Sequence, residues 1–281
     1  SGILRRGPRQ TGSGSGARPP APSAMGPRTG LVVLDLVTSP TALRLPVEQI
    51  VAAVGDVPVL VDAAHGPGMV DMSDGSLRDA AFVVANGHKW LYSPKGSAFL
   101  WVNQTSGFVT DTFPEPTVIS SGNPICSTSF SQRFAYVSTR DYTAGLTMDA
   151  ALDFRQQILG GDHAIYQYCR SLALQAKQYL LDLWQVPPMA PNDMEEFMIN
   201  IPLPRAIDSE SAARALQSHM LKTHGMYMIA VHEGTSGWFY TRLSAQVYLE
   251  MSDFERLGKL VWEFAEKYAT NSLSDSTAAI E

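Results

Sequence analysis

The chain has 281 residues, 45% hydrophobic and 17% charged, with a formal net charge of −6. This is a globular composition, and it excludes a collagen-like or wholly disordered chain. No apolar run reaches the ~18 residues that a membrane span needs. The negative balance argues against a surface built around nucleic-acid phosphates, so neither a membrane nor a nucleic acid is an expected partner. Two cysteines, Cys126 and Cys169, are too few for a disulfide framework, and no CxxC or clustered Cys/His set suggests a metal. A reducing compartment, the cytoplasm, is the expectation.

Residues 1–30 are rich in Gly, Pro and Ser and carry five arginines but no Asp, Glu or Lys. Such a segment has too little apolar surface to offset chain entropy and reads as disordered. An acid-free, Arg-rich start also fits organellar import, but Gly and Pro break the helix that import signals form. From residue 31 the pattern changes. LVVLDLV (31–37) reads as a strand. Pro46 opens a helix with Val47, Ile50, Val51 and Val54 on one face, ended by Gly55. VPVLVD (57–62), AAFVVA (80–85) and AFLWV (98–102) read as three more strands, apolar enough to be buried on both faces. Alternation of strand and helix predicts an α/β fold with a mainly parallel sheet.

A Gly/Pro/Ser-rich stretch reaches about residue 131, and helices are expected over 146–158 and 163–184. Pro187, Pro188 and Pro191 then punctuate the chain. This divides it into a large α/β domain over 31–185 and a small α+β domain over 186–270, with a frayed tail at 271–281. In the small domain, strands are predicted at 197–201, 226–232 and 238–243. Helices are predicted at 209–223, capped by Ser209, and at 252–268, opened by a capping-box pattern, Ser252 to Glu255.

Ligands of open α/β sheets bind beyond the carboxyl ends of strands. Two such ends carry unusual residues. Asp62 stands where one apolar run stops, with His65 three residues on; His88 and Lys89 follow another. A lysine beside an aromatic in such a turn is partly desolvated, which favours the neutral, nucleophilic amine able to form a Schiff base. A carboxylate at a neighbouring end suits a protonated pyridine nitrogen. Together they are the minimal equipment for pyridoxal 5′-phosphate (PLP). Each residue alone also fits an ordinary part: Asp62 a turn cap, Lys89 a solvated surface lysine, the histidines structural groups.

The segments VDAAH (61–65) and GHKWLYSPKGSAFLWV (87–102) resemble the cofactor-binding core of the class V aminotransferases, PLP enzymes of fold type I. DLVTSPTALRLPVEQIV (35–51), FSQRFAYVSTRDYTAGLTMDAALDF (130–154) and YTRLSAQVYLE (240–250) are similar to the same family, especially its isopenicillin N epimerase-like branch. The resemblance implies a partial fold-type-I large domain plus a small α+β domain, PLP as cofactor, and an amino acid as substrate. It implies that Lys89 is the Schiff-base lysine and the base at Cα. Asp62 would pair with the pyridine nitrogen, His65 with the phenolic oxygen and His88 with the phosphate. Thr139 would reach the phosphate of a second subunit's cofactor, implying a homodimer, and Arg242 would bind the substrate α-carboxylate.

Some positions depart from that pattern. Residues 1–30 match neither the phosphate-cradling turn nor the stacking ring that the family carries in its N-terminal part, so this part of the cofactor shell is expected to be missing. Leu36, Asn86, Ser138 and Leu249 replace His, Ser or Thr, Gly and Asn respectively. No cysteine falls in 232–240, where some desulfurases carry a persulfide cysteine. Two functions follow as expectations. One is a PLP-dependent transaminase, epimerase or lyase acting at Cα; the other is a catalytically silent relative that only folds or dimerises.

Overall fold

The structure is a computed structural model that describes residues 25–73, 75, 77–109, 114–116, 130–135, 139–232, 234 and 237–278. Most of residues 1–30, together with Cys126 and Ser138, lies outside the described residues. The chain divides into two compact units. The first comprises residues 1–37 and 45–154; the second comprises Thr38–Arg44 and Arg155–Glu281.

The first unit is built on a four-stranded sheet. Strands β1 (Val32–Asp35), β2 (Val59–Asp62) and β3 (Phe82–Asn86) run parallel, and β4 (Ala98–Val102) pairs antiparallel to β3, in the order β1-β2-β3-β4. Helix α1 (Val47–Val54) makes the crossover between β1 and β2 that parallel strands require. It buries Val47, Val51 and Val54 and ends at Gly55, whose φ of 79° is open to glycine at little cost. The β-branched and aromatic residues of the two inner strands suit a buried sheet: Val59, Val61, Phe82 and Val83 are all nearly inaccessible.

The outer strands differ from expectation. In β4, Phe99, Leu100 and Trp101 are exposed by 37–44%, and Val33 of β1 is 61% exposed. These residues have the composition of doubly covered strands, but among the described residues they are only partly covered. Three short helices complete the unit: α2 (Phe130–Ala135), α3 (Thr143–Leu146) and α4 (Met148–Asp153). The single helix expected over 146–158 is thus split, and its last turn, Phe154–Ile158, is a π-helix.

In the second unit, α5 (Gly161–Trp184) packs on α7 (Met251–Ala278) and on a three-stranded antiparallel sheet. Its strands β5 (Met198–Pro202), β6 (Val231–His232) and β7 (Phe239–Ser244) lie in the order β5-β7-β6. Gly258 makes the notch where α5 and α7 cross, since a Cβ there would fall 2.6 Å from Leu180. The Trp184 indole donates to the Gly258 carbonyl at 3.0 Å. Helix α6 (Glu210–His224) is capped as predicted: Ser209 Oγ accepts from the Ala212 N–H at 3.2 Å, and Gly225 closes the other end in the left-handed region.

Three further boundaries differ. Helix α5 lies in the second unit, so the expected division near residue 185 falls inside that unit, because the buried face of α5 is covered by α7 and β5. The capping box at Ser252 is displaced: α7 begins at Met251, and Asp253 Oδ2 accepts from the Glu250 N–H at 2.9 Å. That helix also continues past residue 268 to Ala278, through part of the expected frayed tail. The strand predicted over 226–232 is reduced to Val231–His232.

Candidate active site

Because β2 and β3 are parallel neighbours, their carboxyl ends share one edge of the sheet. Asp62 is the last residue of β2, and Lys89 stands three residues beyond Asn86, the last residue of β3. One edge therefore carries Asp62, His65, His88 and Lys89.

Both loops are tightly determined. After β2, Asp62 Oδ1 accepts from the Ala64 N–H at 2.9 Å, and the chain turns through Gly66 and Gly68. A Cβ on Gly68, which has a φ of +85°, would lie 2.4 Å from the Trp90 carbonyl oxygen. Only glycine lets this loop press against the Lys89–Trp90 backbone. Leu36, which stands where the family pattern has His, is buried against Gly66. After β3, the Gly87 N–H donates to Ser97 and the Ser93 N–H donates back to Gly87. Tyr92 takes a φ of 66°, uncommon for a bulky residue, with its ring edge-on to Phe154 at 6.4 Å between centroids.

These constraints place side chains. His65 is buried, with 8% exposure, and lies between Trp90 and Lys89. The Trp90 indole N–H donates to His65 Nδ1 at 3.1 Å, and Lys89 Nζ is 3.2 Å from His65 Nε2. His88 Nδ1 donates to the Ser97 carbonyl at 3.0 Å, since that oxygen can only accept. The second oxygen of Asp62 makes no hydrogen bond among the described residues. Lys89 and Asp62 are half-buried, exposed enough to meet a ligand.

Thr139 is exposed, two residues before the Asp141 turn, whose carboxylate accepts from the Thr143 N–H at 2.8 Å. Hydrogen bonds from Thr143 hold the Asp141 carboxyl below the usual carboxylate range. Arg242 belongs to the second unit, on β7 opposite Asn200 of β5. Its NH1 donates to the Ser39 carbonyl at 2.6 Å and to Ser39 Oγ at 3.3 Å. The adjacent Pro40 carbonyl accepts from Asn200 Nδ2 at 2.8 Å and from the Tyr240 hydroxyl at 3.0 Å.

Two elements of this arrangement escape sequence reading. Trp90 is legible in the sequence only as the aromatic beside Lys89; its N–H bond to His65 has no spacing signature. The Ser39–Pro40 segment that orients Arg242 lies some 200 positions away in the chain. Among the described residues no group of three or more His, Cys, Asp or Glu is placed to hold a metal, and no helix is long and apolar enough to cross a membrane.

No family model matches the chain. Comparison with known proteins nonetheless finds clear relatives. An L-cysteine desulfhydrase-like protein, lolT1, of Epichloe uncinata is 28% identical over 281 aligned positions, covering 84% of this chain and 61% of that protein. The isopenicillin N epimerase of Amycolatopsis lactamdurans is 29% identical over 185, covering 61% of this chain and 45% of the epimerase. In three dimensions the apo cysteine desulfurase of Thermococcus onnurineus superposes with a TM-score of 0.65 at 20% identity, over 85% of this chain and 61% of the desulfurase. The chain is similar in sequence to a desulfhydrase-like protein and to an isopenicillin N epimerase. Its fold is that of PLP fold type I, as the family resemblance implied. The chain spans about 45–60% of the length of these relatives. Class V aminotransferases and the desulfhydrases related to them work with PLP, and the donor set on this sheet edge suits that cofactor. It offers a carboxylate with an uncommitted oxygen, an amine within hydrogen-bond distance of an imidazole, and a second imidazole fixed by a carbonyl.

Proposed function

We propose that the chain acts in a PLP-dependent carbon–sulfur lyase, releasing sulfur from a cysteine-type amino acid. The juxtaposition of Lys89 with His65 at the strand ends carries this reading, together with the desulfhydrase-like protein among the relatives. When bound, PLP supplies an electron sink for charge developing at the substrate Cα. Lys89 is the amine that holds the cofactor and the base placed for the Cα proton. Asp62 keeps positive charge on the pyridine nitrogen through its uncommitted oxygen. His65 and His88 serve the phenolic oxygen and the phosphate. Arg242 grips the substrate α-carboxylate with the donors that Ser39 does not use, a planar fork suited to a carboxylate. Thr139 serves the cofactor phosphate of a second copy, so the working form is a homodimer.

Elimination is preferred over transamination or epimerisation because of the desulfhydrase relative. The test is direct: L-cysteine and PLP are added to the full chain, and sulfide and pyruvate are measured. The lyase reading predicts equal amounts of both. Amino-group transfer to an added keto acid without sulfide would select the transaminase instead, and conversion to D-cysteine the epimerase.

A second reading, a silent chain that folds and pairs without turnover, is favoured by the exposed apolar residues of β1 and β4. It predicts self-association at micromolar concentration with no uptake of PLP.

A further inference from the structure

We infer that Trp90 is a positioning residue that fixes the tautomer of His65 and thereby keeps the Lys89 amine uncharged. This rests on the reading of Lys89 as the reactive amine. The indole nitrogen carries a hydrogen and can only donate. At 3.1 Å it donates to His65 Nδ1, which must therefore be the unprotonated nitrogen of the ring. A neutral imidazole with a bare Nδ1 carries its proton on Nε2. That Nε2–H points at Lys89 Nζ, 3.2 Å away. An ammonium there has three donors and no lone pair, and would meet a second donor. A neutral amine has the lone pair the N–H requires. The chain Trp90, His65, Lys89 is thus a one-way relay of donors ending on the Lys89 lone pair.

The relay is enforced by packing. Trp90 is 4% and His65 8% exposed, with ring centroids 6.3 Å apart in an edge-on arrangement. Gly68 seats its loop against the Trp90 backbone. The other titratable groups at these strand ends have defined partners: Asp62 accepts from the Ala64 N–H, and His88 donates to the Ser97 carbonyl. A carboxylate at Asp62 favours a charged lysine, so the imidazole donor is the group that opposes it. The consequence is an amine ready to attack an aldehyde near neutral pH without first losing a proton to solvent.

The test compares Lys89 with Lys95, an exposed lysine in the same loop. The full chain, freed of any resident PLP, is labelled with a trace of acetic anhydride at pH 7, and both peptides are quantified. Lys89 is expected to label about tenfold faster than Lys95, the ratio that corresponds to one unit of pKa. Trp90→Phe removes the donor, lets His65 turn to the other tautomer, and is expected to bring the ratio down to about one. His65→Gln keeps an acceptor for the indole and a donor for the amine, and is expected to retain the high ratio. A purely structural role for Trp90 would move neither ratio in this pattern.

The ring nitrogens of His65 in the unmutated chain, read by 15N NMR, give a check that needs no variant. A bare Nδ1 and a protonated Nε2 are expected. The opposite tautomer, a cationic ring, or a Lys89 that labels no faster than Lys95 would each overturn the relay. The two proposals fail separately. If PLP is trapped on Lys89 but labelling ignores Trp90→Phe, the relay is wrong and the cofactor assignment stands. If the tautomer is as stated but PLP is never trapped, the cofactor assignment is wrong and the relay stands.

Discussion

Two lysines, one in each unit, show how the same side chain is put to different uses. Lys177 on α5 is 4% exposed, and its ammonium meets three oxygens: the Ala190 carbonyl at 2.8 Å, Asn192 Oδ1 at 2.9 Å and Glu195 Oε2 at 2.5 Å. Every donor finds an acceptor, which ties α5 to the segment that leads into β5. Lys89 is more exposed, and it faces His65 Nε2 at 3.2 Å, a nitrogen that carries a proton in the proposed tautomer. On the proposed reading, what would distinguish the structural cation of Lys177 from a reactive amine at Lys89 is whether the neighbours accept or donate.

Breaking the structural lysine should have the largest thermodynamic effect. Lys177→Met leaves Glu195 buried without its partner and is expected to cost about 3–5 kcal/mol, read as a lower denaturation midpoint. Burial already pushes the Glu195 carboxyl up, against the lowering effect of Lys177 and Arg170. Without Lys177 it rises further. A folded-state pKa raised above the unfolded one gives stability that is present at low pH and lost as pH rises through the folded value. The Lys177→Met deficit should therefore shrink as the pH is lowered from 7 towards 5. A deficit that grows on acidification would contradict this picture.

At the other lysine, Asp62→Asn should leave the stability nearly unchanged and PLP still bound. Turnover should fall on the order of 10²–10³-fold, the usual loss when one preorganised electrostatic partner is removed. Equal turnover in the two proteins would remove Asp62 from the chemistry. Gly68→Ala forces a Cβ into the Trp90 carbonyl and a non-glycine residue to positive φ. It is expected to cost about 1–3 kcal/mol and to lower PLP uptake with it. The smallest effect concerns a third buried group. Cys169 is fully buried, and burial pushes its thiol up to about 11. Alkylation by iodoacetamide at pH 8 should be negligible until the protein is unfolded.

The fold was legible where sequence pattern and burial agree. The valine runs of β2 and β3, the proline start of α1 and the Ser209 cap all reappear. It was least legible where burial depends on what lies opposite. The residues Phe99, Leu100 and Trp101 read as core but sit on an outer strand, since composition does not say which strand is flanked. The helix expected over 146–158 is broken at Thr147 and ends in a π-helical turn whose buried Arg155 pairs with Asp162 at 2.6 Å, an ion pair that no periodicity encodes. Asp62, His65, His88 and Lys89 were singled out from strand ends, and the fold brings them to one end of the sheet. The Trp90 bond to His65 and the Ser39 and Pro40 carbonyls that meet Arg242, Tyr240 and Asn200 were not legible, because these contacts join segments far apart in the chain.

The central claim is that Lys89 is the amine that receives PLP. The full chain is incubated with PLP, reduced with borohydride, digested, and the modified peptide identified by mass spectrometry. The account predicts a single phosphopyridoxyl mark on Lys89, absent in Lys89→Ala while Lys95 and Lys177 stay unmarked. A mark on Lys95, an equal spread over surface lysines, or no mark in folded protein would contradict it.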